Sequence, residues 1–147
     1  SGDTGADTIF GGQGDDEANG GSENDSLFGN RGNDILSGDT GSDTLNGGSG
    51  NDTLAGGTGS DVFVFNAGSG TDVIGDFMAG TDAIQVSANL NGNSTFATED
   101  YVSLVTGDGT TGEAIINLGN NADGSVNSIK LTGVQANAVT SDFFTFG

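Results

Sequence analysis

Large apolar residues recur every nine positions in the first half of the chain. They stand at Ile9, Ala18, Leu27, Leu36, Leu45, Leu54 and Phe63. Side chains alternate between the two faces of a strand, so a short strand centred on each of these residues turns it inward. The pattern predicts seven three-residue strands that are separated by six-residue turns.

Glycine and aspartate follow the same period, and together they give the phrase G-G-x-G-x-D-x-U-x, in which U is the apolar residue. The second position holds Gly, Asp or Asn, which tolerate a left-handed backbone, and the fourth is glycine except at Glu23. Such a run predicts a tight turn whose carbonyl oxygens converge. Position one is glycine in every copy: Gly2, Gly11, Gly20, Gly29, Gly38, Gly47 and Gly56.

Position six is aspartate in all seven copies. If two nonapeptides make one coil, repeats of the same parity stack about 4.8 Å apart, the spacing of neighbouring strands. The carboxylates then form two columns, one of Asp7, Asp25, Asp43 and Asp61 and the other of Asp16, Asp34 and Asp52. Their mutual repulsion is relieved by a hard divalent cation, and calcium prefers about six to eight oxygen ligands. The chain contains no His or Cys, which excludes a zinc site built on those ligands.

These repeats resemble those of the RTX (repeats-in-toxin) proteins, which bacteria export by type I secretion. The resemblance implies an all-β fold, namely a right-handed parallel β-roll followed by a β-rich C-terminal cap. It also implies that each calcium ion lies between the turns of repeats n and n+2, held by position-six carboxylates and by carbonyls of positions one to four. Five pairings follow: Asp7 with Asp25, Asp16 with Asp34, Asp25 with Asp43, Asp34 with Asp52, and Asp43 with Asp61.

A sixth pairing joins Asp52 to Asp72, because residues 65–74 resemble an eighth repeat with one inserted residue. The resemblance therefore implies Ca²⁺ as the cofactor, with five or six ions bound. The side-chain ligands that it implies are Asp7, Asp16, Asp25, Asp34, Asp43, Asp52, Asp61 and Asp72. The backbone ligands that it implies are Gly5, Gly12, Gly14, Gly21, Gly29, Gly32, Gly38, Gly41, Gly48, Gly50, Gly57 and Gly59.

Calcium is expected to decide whether the repeats fold. Seven inward side chains bury little hydrocarbon compared with the conformational entropy that the repeats lose on folding. A Gly/Asp-rich chain of this kind is expected to be flexible without metal and ordered with it. The repeats carry 12 acidic residues against Arg31, a net charge of −11 that five calcium ions offset by +10.

The regular period breaks after Val64, and with the irregular eighth repeat included we divide the chain into a roll, residues 1–74, and a capping region, residues 75–147. Residues 73–77 and 80–86 resemble the motif that closes the β-roll of serralysin proteases and alginate-epimerase R modules. Within it, Asp76 either touches metal or accepts backbone hydrogen bonds at the end of the roll, and the second role is favoured.

The sequence pattern of the capping region predicts strands. Residues 100–105 and 113–118 flank a turn at 107–110 and predict a hairpin, and a second turn at 120–125 leads to a strand at 126–131. The aromatic tail, residues 141–146, is expected to pack on the cap, and it also resembles the hydrophobic end of the family's uncleaved secretion signal. Gly107, Gly109 and Gly112 match a dinucleotide-binding phrase, but they lie between strands without the helix that such a site needs.

The net charge of the chain disfavours some classes of binding partner. The chain has 21 acidic residues against Arg31 and Lys130, a net charge of −19, which repels nucleic acid and anionic membranes. No apolar run is long enough to predict a membrane span, and no basic-then-apolar leader opens the sequence. A parallel roll normally has a cap at each end, so we expect the sequence to be the C-terminal part of a larger protein.

These features favour a calcium-binding module that folds on extracellular calcium. It would serve the type I secretion machinery and stabilise a larger bacterial protein that is secreted or held at the cell surface. The alternative is a polysaccharide- or surface-binding module, as in adhesins, S-layer proteins or R modules. The scarcity of basic residues disfavours a polyanionic glycan, and the column Thr4, Ser22, Thr40 and Thr58 reads more simply as solvated turns. No nucleophile–base pair is evident, so an enzyme is not expected.

Overall fold

The computed structural model describes residues 1–87, 105–106, 113–120 and 126–146, and these contain no α-helix. Two sheets face each other, one in the order β1-β3-β5-β7-β9-β13 and the other in the order β10-β11-β12-β8-β6-β4-β2. The strands are β1 Thr8–Gln13, β2 Glu17–Ser22, β3 Ser26–Arg31, β4 Ile35–Thr40, β5 Thr44–Ser49, β6 Thr53–Ala55, β7 Val62–Phe65, β8 Thr71–Ile74, β9 Ala83–Val86, β10 Val105–Thr106, β11 Glu113–Asn120, β12 Val126–Thr132 and β13 Phe144–Phe146. The predicted all-β parallel roll is confirmed.

Repeats of the same parity stack, as the period predicts. Strand β1 pairs in parallel with β3, placing Thr8 opposite Ser26, and β2 pairs in parallel with β4, placing Glu17 opposite Ile35. Odd repeats therefore build one sheet and even repeats build the other. One coil of the roll is two nonapeptides long, and in β1 to β5 each paired residue lies next to the residue 18 positions away in the adjacent coil.

The strands are longer than predicted. In β1 to β5 each strand has six residues, covering positions seven to nine of one repeat and one to three of the next. The three-residue prediction was wrong because the turn positions also pair, for example Gly12 with Asn30. The pairing skips position one, so Gly11 and Gly29 have no place in the ladder.

Position eight faces the core in every coil. Leu27, Leu36, Leu45, Leu54 and Phe63 are at most 1% exposed, and Ala18 is also buried. Ile9, in the first coil, is only partly buried against the same core. The inward side chains thus form two columns that meet along the centre of the roll.

The turns use the left-handed backbone that the glycine pattern indicates. Gly14 and Gly32, at position four, have φ of +100° and +131°. Glu23 takes the same place with φ of +81°, so the third turn keeps the geometry of the others despite its side chain. A left-handed conformation costs a non-glycine residue roughly 1–2 kcal/mol.

The hydroxyls at position three tie neighbouring coils together. Ser22 Oγ donates to the Asp3 carbonyl at 3.2 Å, and Thr40 Oγ1 donates to the Gly21 carbonyl at 3.3 Å. These hydroxyl protons are committed to the turns, which agrees with the interpretation of the Thr/Ser column as ordinary turn residues.

The eighth and ninth strands continue the two sheets after insertions. Asp52 and Asp72 are 20 residues apart, whereas the paired aspartates of earlier coils are 18 apart. The prediction of one inserted residue was therefore wrong, since two are present. The turn near Asn66, whose carbonyl accepts a hydrogen bond from the Ser69 N–H, accommodates them.

The capping strands are attached to the same sheets. Strands β10, β11 and β12 are antiparallel neighbours, as the hairpin pattern predicts, and β12 then pairs in parallel with β8. The tail strand β13 pairs in parallel with β9. The predicted turn at 107–110, residues 121–125 of the predicted turn at 120–125, residues 100–104 and the Gly107-Gly109-Gly112 phrase lie outside the described residues.

Aromatic side chains close the end of the core. Phe77 lies between Phe63 and Phe143, with ring centroids 6.1 Å and 5.1 Å away. Phe143 and Phe144 are both buried, which confirms that the aromatic tail packs on the cap. The roll and the cap share one hydrophobic cluster.

Replacing Glu23 with glycine is expected to stabilise the folded protein. Glu23→Gly removes the left-handed strain, and after the entropy cost of glycine we expect a gain of about 0.5–1 kcal/mol in the free energy of unfolding. Urea denaturation in saturating calcium measures it. Glu23→Gln is the matched control because it removes the charge and keeps the strain. Equal stabilisation by both variants would attribute the effect to charge and contradict the prediction.

Candidate calcium sites

The structure brings the predicted aspartate pairs together in each column. In every pair the Oδ1 atom of the later aspartate accepts a hydrogen bond from the backbone N–H of the earlier one. The N–O distances are 2.8 Å for Asp7–Asp25, Asp16–Asp34, Asp25–Asp43, Asp34–Asp52 and Asp52–Asp72, and 2.9 Å for Asp43–Asp61. One oxygen of each later carboxylate is thus used to hold two coils in register.

The second carboxylate oxygen is buried and has no hydrogen-bond donor. This is true of Oδ2 in Asp7, Asp16, Asp25, Asp34, Asp43, Asp52 and Asp61. A buried polar atom without a partner costs about 1–3 kcal/mol, and more when it carries charge. Seven such atoms in two regular columns point to a positively charged ligand that binds oxygen.

Position-one glycines form one wall of the space beside these oxygens. A Cβ atom added at Gly11 would lie 3.0 Å from Asp16 Oδ2 and 2.9 Å from the Gly29 carbonyl oxygen. The same addition at Gly2 would lie 2.6 Å from Asp7 Oδ2 and 2.5 Å from the Gly20 carbonyl oxygen. A carboxylate and a carbonyl oxygen therefore converge where the ladder skips position one. This donor set suits calcium.

Among the predicted backbone ligands, Gly29 and Gly38 provide carbonyls of this converging kind, Gly38 beside Gly20. The carbonyl oxygens of Gly20, Gly47 and Gly56 are placed in the same way, but they were not among the predicted backbone ligands. The signal that could have found them is the unbroken glycine at position one. The remaining predicted carbonyls belong to turn positions with positive φ: Gly5, Gly12, Gly14, Gly21, Gly32, Gly41, Gly48, Gly50, Gly57 and Gly59.

Burial opposes the negative charge in these columns. Desolvation raises the pKa of Asp43, Asp52 and Asp61, and the neighbouring aspartates of the column raise it further. The pKa of Asp72 is raised to about 7, chiefly by burial. A cation beside the carboxylates favours their charged form and acts in the opposite direction.

Within the described part of the chain, no three carboxylates gather into a ready-made metal cage. Each column supplies its carboxylates one coil at a time. An ion between two coils must therefore obtain most of its ligands from the backbone. The positive-φ turns and the unpaired position-one glycines are the local structures that expose such carbonyls.

The two columns end differently at the cap. Asp82, which the sequence interpretation did not assign, continues the odd column and accepts the Asp61 N–H at 3.1 Å. Its Oδ2 accepts the Met78 N–H at 2.8 Å, so this carboxylate has protein donors for both oxygens. The D-x-I phrase at residues 82–84 was the available signal. In the even column, Ile129 stands opposite Asp72 and is fully buried.

Asp76 has the structural role that was favoured for it. Its two carboxylate oxygens accept the backbone N–H groups of Gly56 and Gly57 at 3.0 and 2.8 Å. It therefore fastens the segment after β8 to the last regular turn.

Comparison with known protein families agrees with this donor geometry. The sequence model of the RTX calcium-binding nonapeptide repeat matches residues 1–36, 28–63 and 37–74. The chain belongs to the RTX family. RTX nonapeptide repeats bind calcium, and the repeat region is a structural calcium-binding module. No curated protein sequence is similar enough to the chain to count as a match.

Solved structures of RTX modules are similar over nearly the whole chain. The AlgE6R3 subunit of the Azotobacter vinelandii mannuronan C5-epimerase is 30% identical with a TM-score of 0.70, covering 97% of this chain and 80% of that one. The AlgE6R2 subunit is 26% identical with a TM-score of 0.64, covering 97% and 92%. The extracellular lipase LipA of Serratia marcescens is 24% identical with a TM-score of 0.70 and shares the fold, covering 95% of this chain and 21% of the lipase.

No helix in the described residues is long and apolar enough to cross a membrane. RTX repeats are typical of secreted proteins.

A methyl group at a position-one glycine is expected to disrupt the roll. In Gly38→Ala the added Cβ would collide with Asp43 Oδ2 and lie 2.6 Å from the Gly56 carbonyl oxygen. We expect a loss of about 2–3 kcal/mol in the free energy of unfolding, measured by urea denaturation in calcium. Gly75→Ala is the control, because among the described residues only the Leu54 carbonyl oxygen, at 3.8 Å, lies within 4 Å of its Cβ. Similar losses in both variants would contradict the steric explanation.

Proposed function

We propose that calcium ions bind between successive coils at the unpartnered aspartate oxygens. The observation that carries this proposal is the set of buried Oδ2 atoms without a donor, each facing a position-one glycine. The five pairings of the seven repeats would hold five ions, and Asp52 with Asp72 would hold a sixth. Carbonyls of the turn glycines at positions one, two and four would complete each shell.

Calcium binding is proposed to drive folding. Without cations, each column places carboxylates of like charge one strand spacing apart in a desolvated setting, which disfavours the ordered state. Each coil contacts only its neighbours, so binding and folding should be steeply cooperative, as in other one-dimensional arrays. On this view residues 1–74 are the calcium-loaded roll, and residues 75–147 cover its end.

The proposed biological role is calcium-dependent folding after type I secretion, as part of a larger secreted or surface-held bacterial protein. Extracellular modules hold calcium with Kd of about 10⁻⁴–10⁻³ M, so the chain would stay extended where calcium is scarce and fold outside the cell. In the folded state Phe143 and Phe144 are buried. The secretion machinery could therefore recognise this tail only before folding, which supports the proposed order of events.

The test is a calcium titration followed by circular dichroism, with Asp43→Asn as the critical variant. We expect the β signal to disappear in excess EDTA and to return steeply with calcium. Asp43→Asn replaces one carboxylate oxygen by a donor at two proposed ions, so its midpoint calcium concentration should rise about tenfold or more.

Asp39→Asn is the matched control, since it removes the same charge from an exposed side chain of the same repeat. Its midpoint should stay near that of the unsubstituted protein. A β signal that persists in EDTA, or equal shifts in the two variants, would refute the proposed sites.

A second candidate function, polysaccharide binding, is favoured by one surface feature. Phe10 and Phe28 stack on the outer face of the odd sheet, with ring centroids 5.0 Å apart, and Phe10 is 64% exposed. Phe28 borders a cleft of about 350 Å³. Aromatic rings with amide and guanidinium groups beside them suit a sugar ring and its hydroxyls. The polar lining residues are Asn30, Arg31, Asn46, Ser49 and Asn66.

Affinity electrophoresis in gels containing a neutral glucan or alginate, run in calcium, tests this second function. If the cleft binds sugar, one gel should retard the protein, and Phe28→Ala should abolish the retardation. Ile35→Ala is the control because Ile35 is 53% exposed on the opposite sheet. Unchanged mobility in both gels would eliminate these two glycans as ligands.

A further inference from the structure

The side chains at position five form a second ladder, beside the column of aspartates. In the even repeats, Asp15 Oδ1 accepts the Asn33 N–H at 2.7 Å and Asn33 Oδ1 accepts the Asn51 N–H at 2.8 Å. Asn51 Oδ1 then accepts the Thr71 N–H at 2.9 Å. Three hydrogen bonds link four consecutive coils in this way, and the side chains that accept them are exposed.

The ladder of the odd repeats is weaker. Asn24 Oδ1 accepts the Ser42 N–H at 2.8 Å, but Ser42 Oγ accepts the Ser60 N–H only at 3.3 Å. The first odd repeat has Ala6, whose methyl group has no acceptor to offer. The two sides of the roll therefore differ at position five, although they are alike at position six.

The position-five bond fixes a neighbouring carbonyl. A peptide group is planar, so its N–H and C=O point in opposite directions. The Asn33 N–H points toward Asp15 in the coil before it, and the Gly32 carbonyl of the same peptide points toward Gly50 in the coil after it. Position-four carbonyls, which include Gly14 and Gly32, are among the oxygens proposed above to bind calcium.

We propose that position-five side chains aim the position-four carbonyls at the ions, so that the even column holds calcium more tightly than the odd column. This inference rests on the proposed calcium sites and adds to them a difference in affinity between the two columns. Asp15, Asn33 and Asn51 are then positioning residues that do not touch the ion. A preoriented carbonyl needs no ordering when the ion binds, which favours retention.

Calcium release from the loaded protein measures the difference. The protein is saturated with calcium and mixed in a stopped-flow instrument with an excess of a fluorescent chelator. The proposed pairings divide equally, three per column, so we expect a fast phase from the odd column and a slow phase from the even column, of similar amplitude. One hydrogen bond of about 1 kcal/mol corresponds to roughly a fivefold change in rate.

Two matched substitutions assign the phases. Asn33→Ala removes an even-ladder acceptor and should accelerate only the slow phase, about fivefold. Asn24→Ala is the same change in an odd repeat and should accelerate only the fast phase. Ser42→Asn supplies a longer side chain to the weak odd bond and should slow the fast phase. Because Ser42→Asn is expected to slow release, its effect cannot be explained by a loss of stability.

The outcomes separate the two proposals. If no protein-bound calcium reaches the chelator, the proposed calcium sites themselves are refuted. Release in a single phase whose rate responds equally to Asn33→Ala and Asn24→Ala, or equal acceleration of both phases by these variants, would leave the sites standing and overturn the positioning role. The inference is supported if Asn33→Ala accelerates only the slow phase, Asn24→Ala accelerates only the fast phase, and Ser42→Asn slows the fast phase.

Discussion

The fold depends on buried carboxylate oxygens that the protein itself does not satisfy. Each position-six aspartate from Asp25 to Asp61 spends one oxygen on the backbone of the preceding coil and leaves the other facing a gap beside a glycine. Hydrophobic burial is a weak alternative source of stability, because each nonapeptide contributes one inward side chain. Under the proposed function, cations in the gaps would supply attraction along the whole column, and the folded state would then depend on the calcium concentration outside the chain.

The repeat pattern predicted the regular part of the roll well, because everything it needs is local or one coil away. Nine-residue spacing was enough for the parity of the sheets, the inward Leu45 and the pairing of Asp25 with Asp43. Strand length was underestimated, because turn residues pair only after the coils have stacked. The ends of the columns were missed for a different reason. Ile129 reaches its place opposite Asp72 through a strand about 57 residues further along, and no local pattern records that register.

At the last coil, the cap places other protein groups where the earlier coils have an open site or the next carboxylate. In the odd column the Met78 N–H supplies to Asp82 what a cation would supply elsewhere. In the even column a hydrocarbon side chain, Ile129, stands where the next carboxylate would be. The odd column thus ends in a carboxylate whose two oxygens accept backbone hydrogen bonds, and the even column ends against a buried apolar side chain.

The two-repeat coil has a consequence for how such a module can change its length. Phe10 meets Phe28, and Asn33 meets Asn51, only because each partner lies a whole coil away. A duplication of one nonapeptide between such partners would carry one of them to the opposite side of the roll. Duplication of a full coil keeps every contact and adds one rung to each sheet. A change in length that keeps these contacts therefore adds or removes two repeats at a time, even though the sequence displays the single repeat.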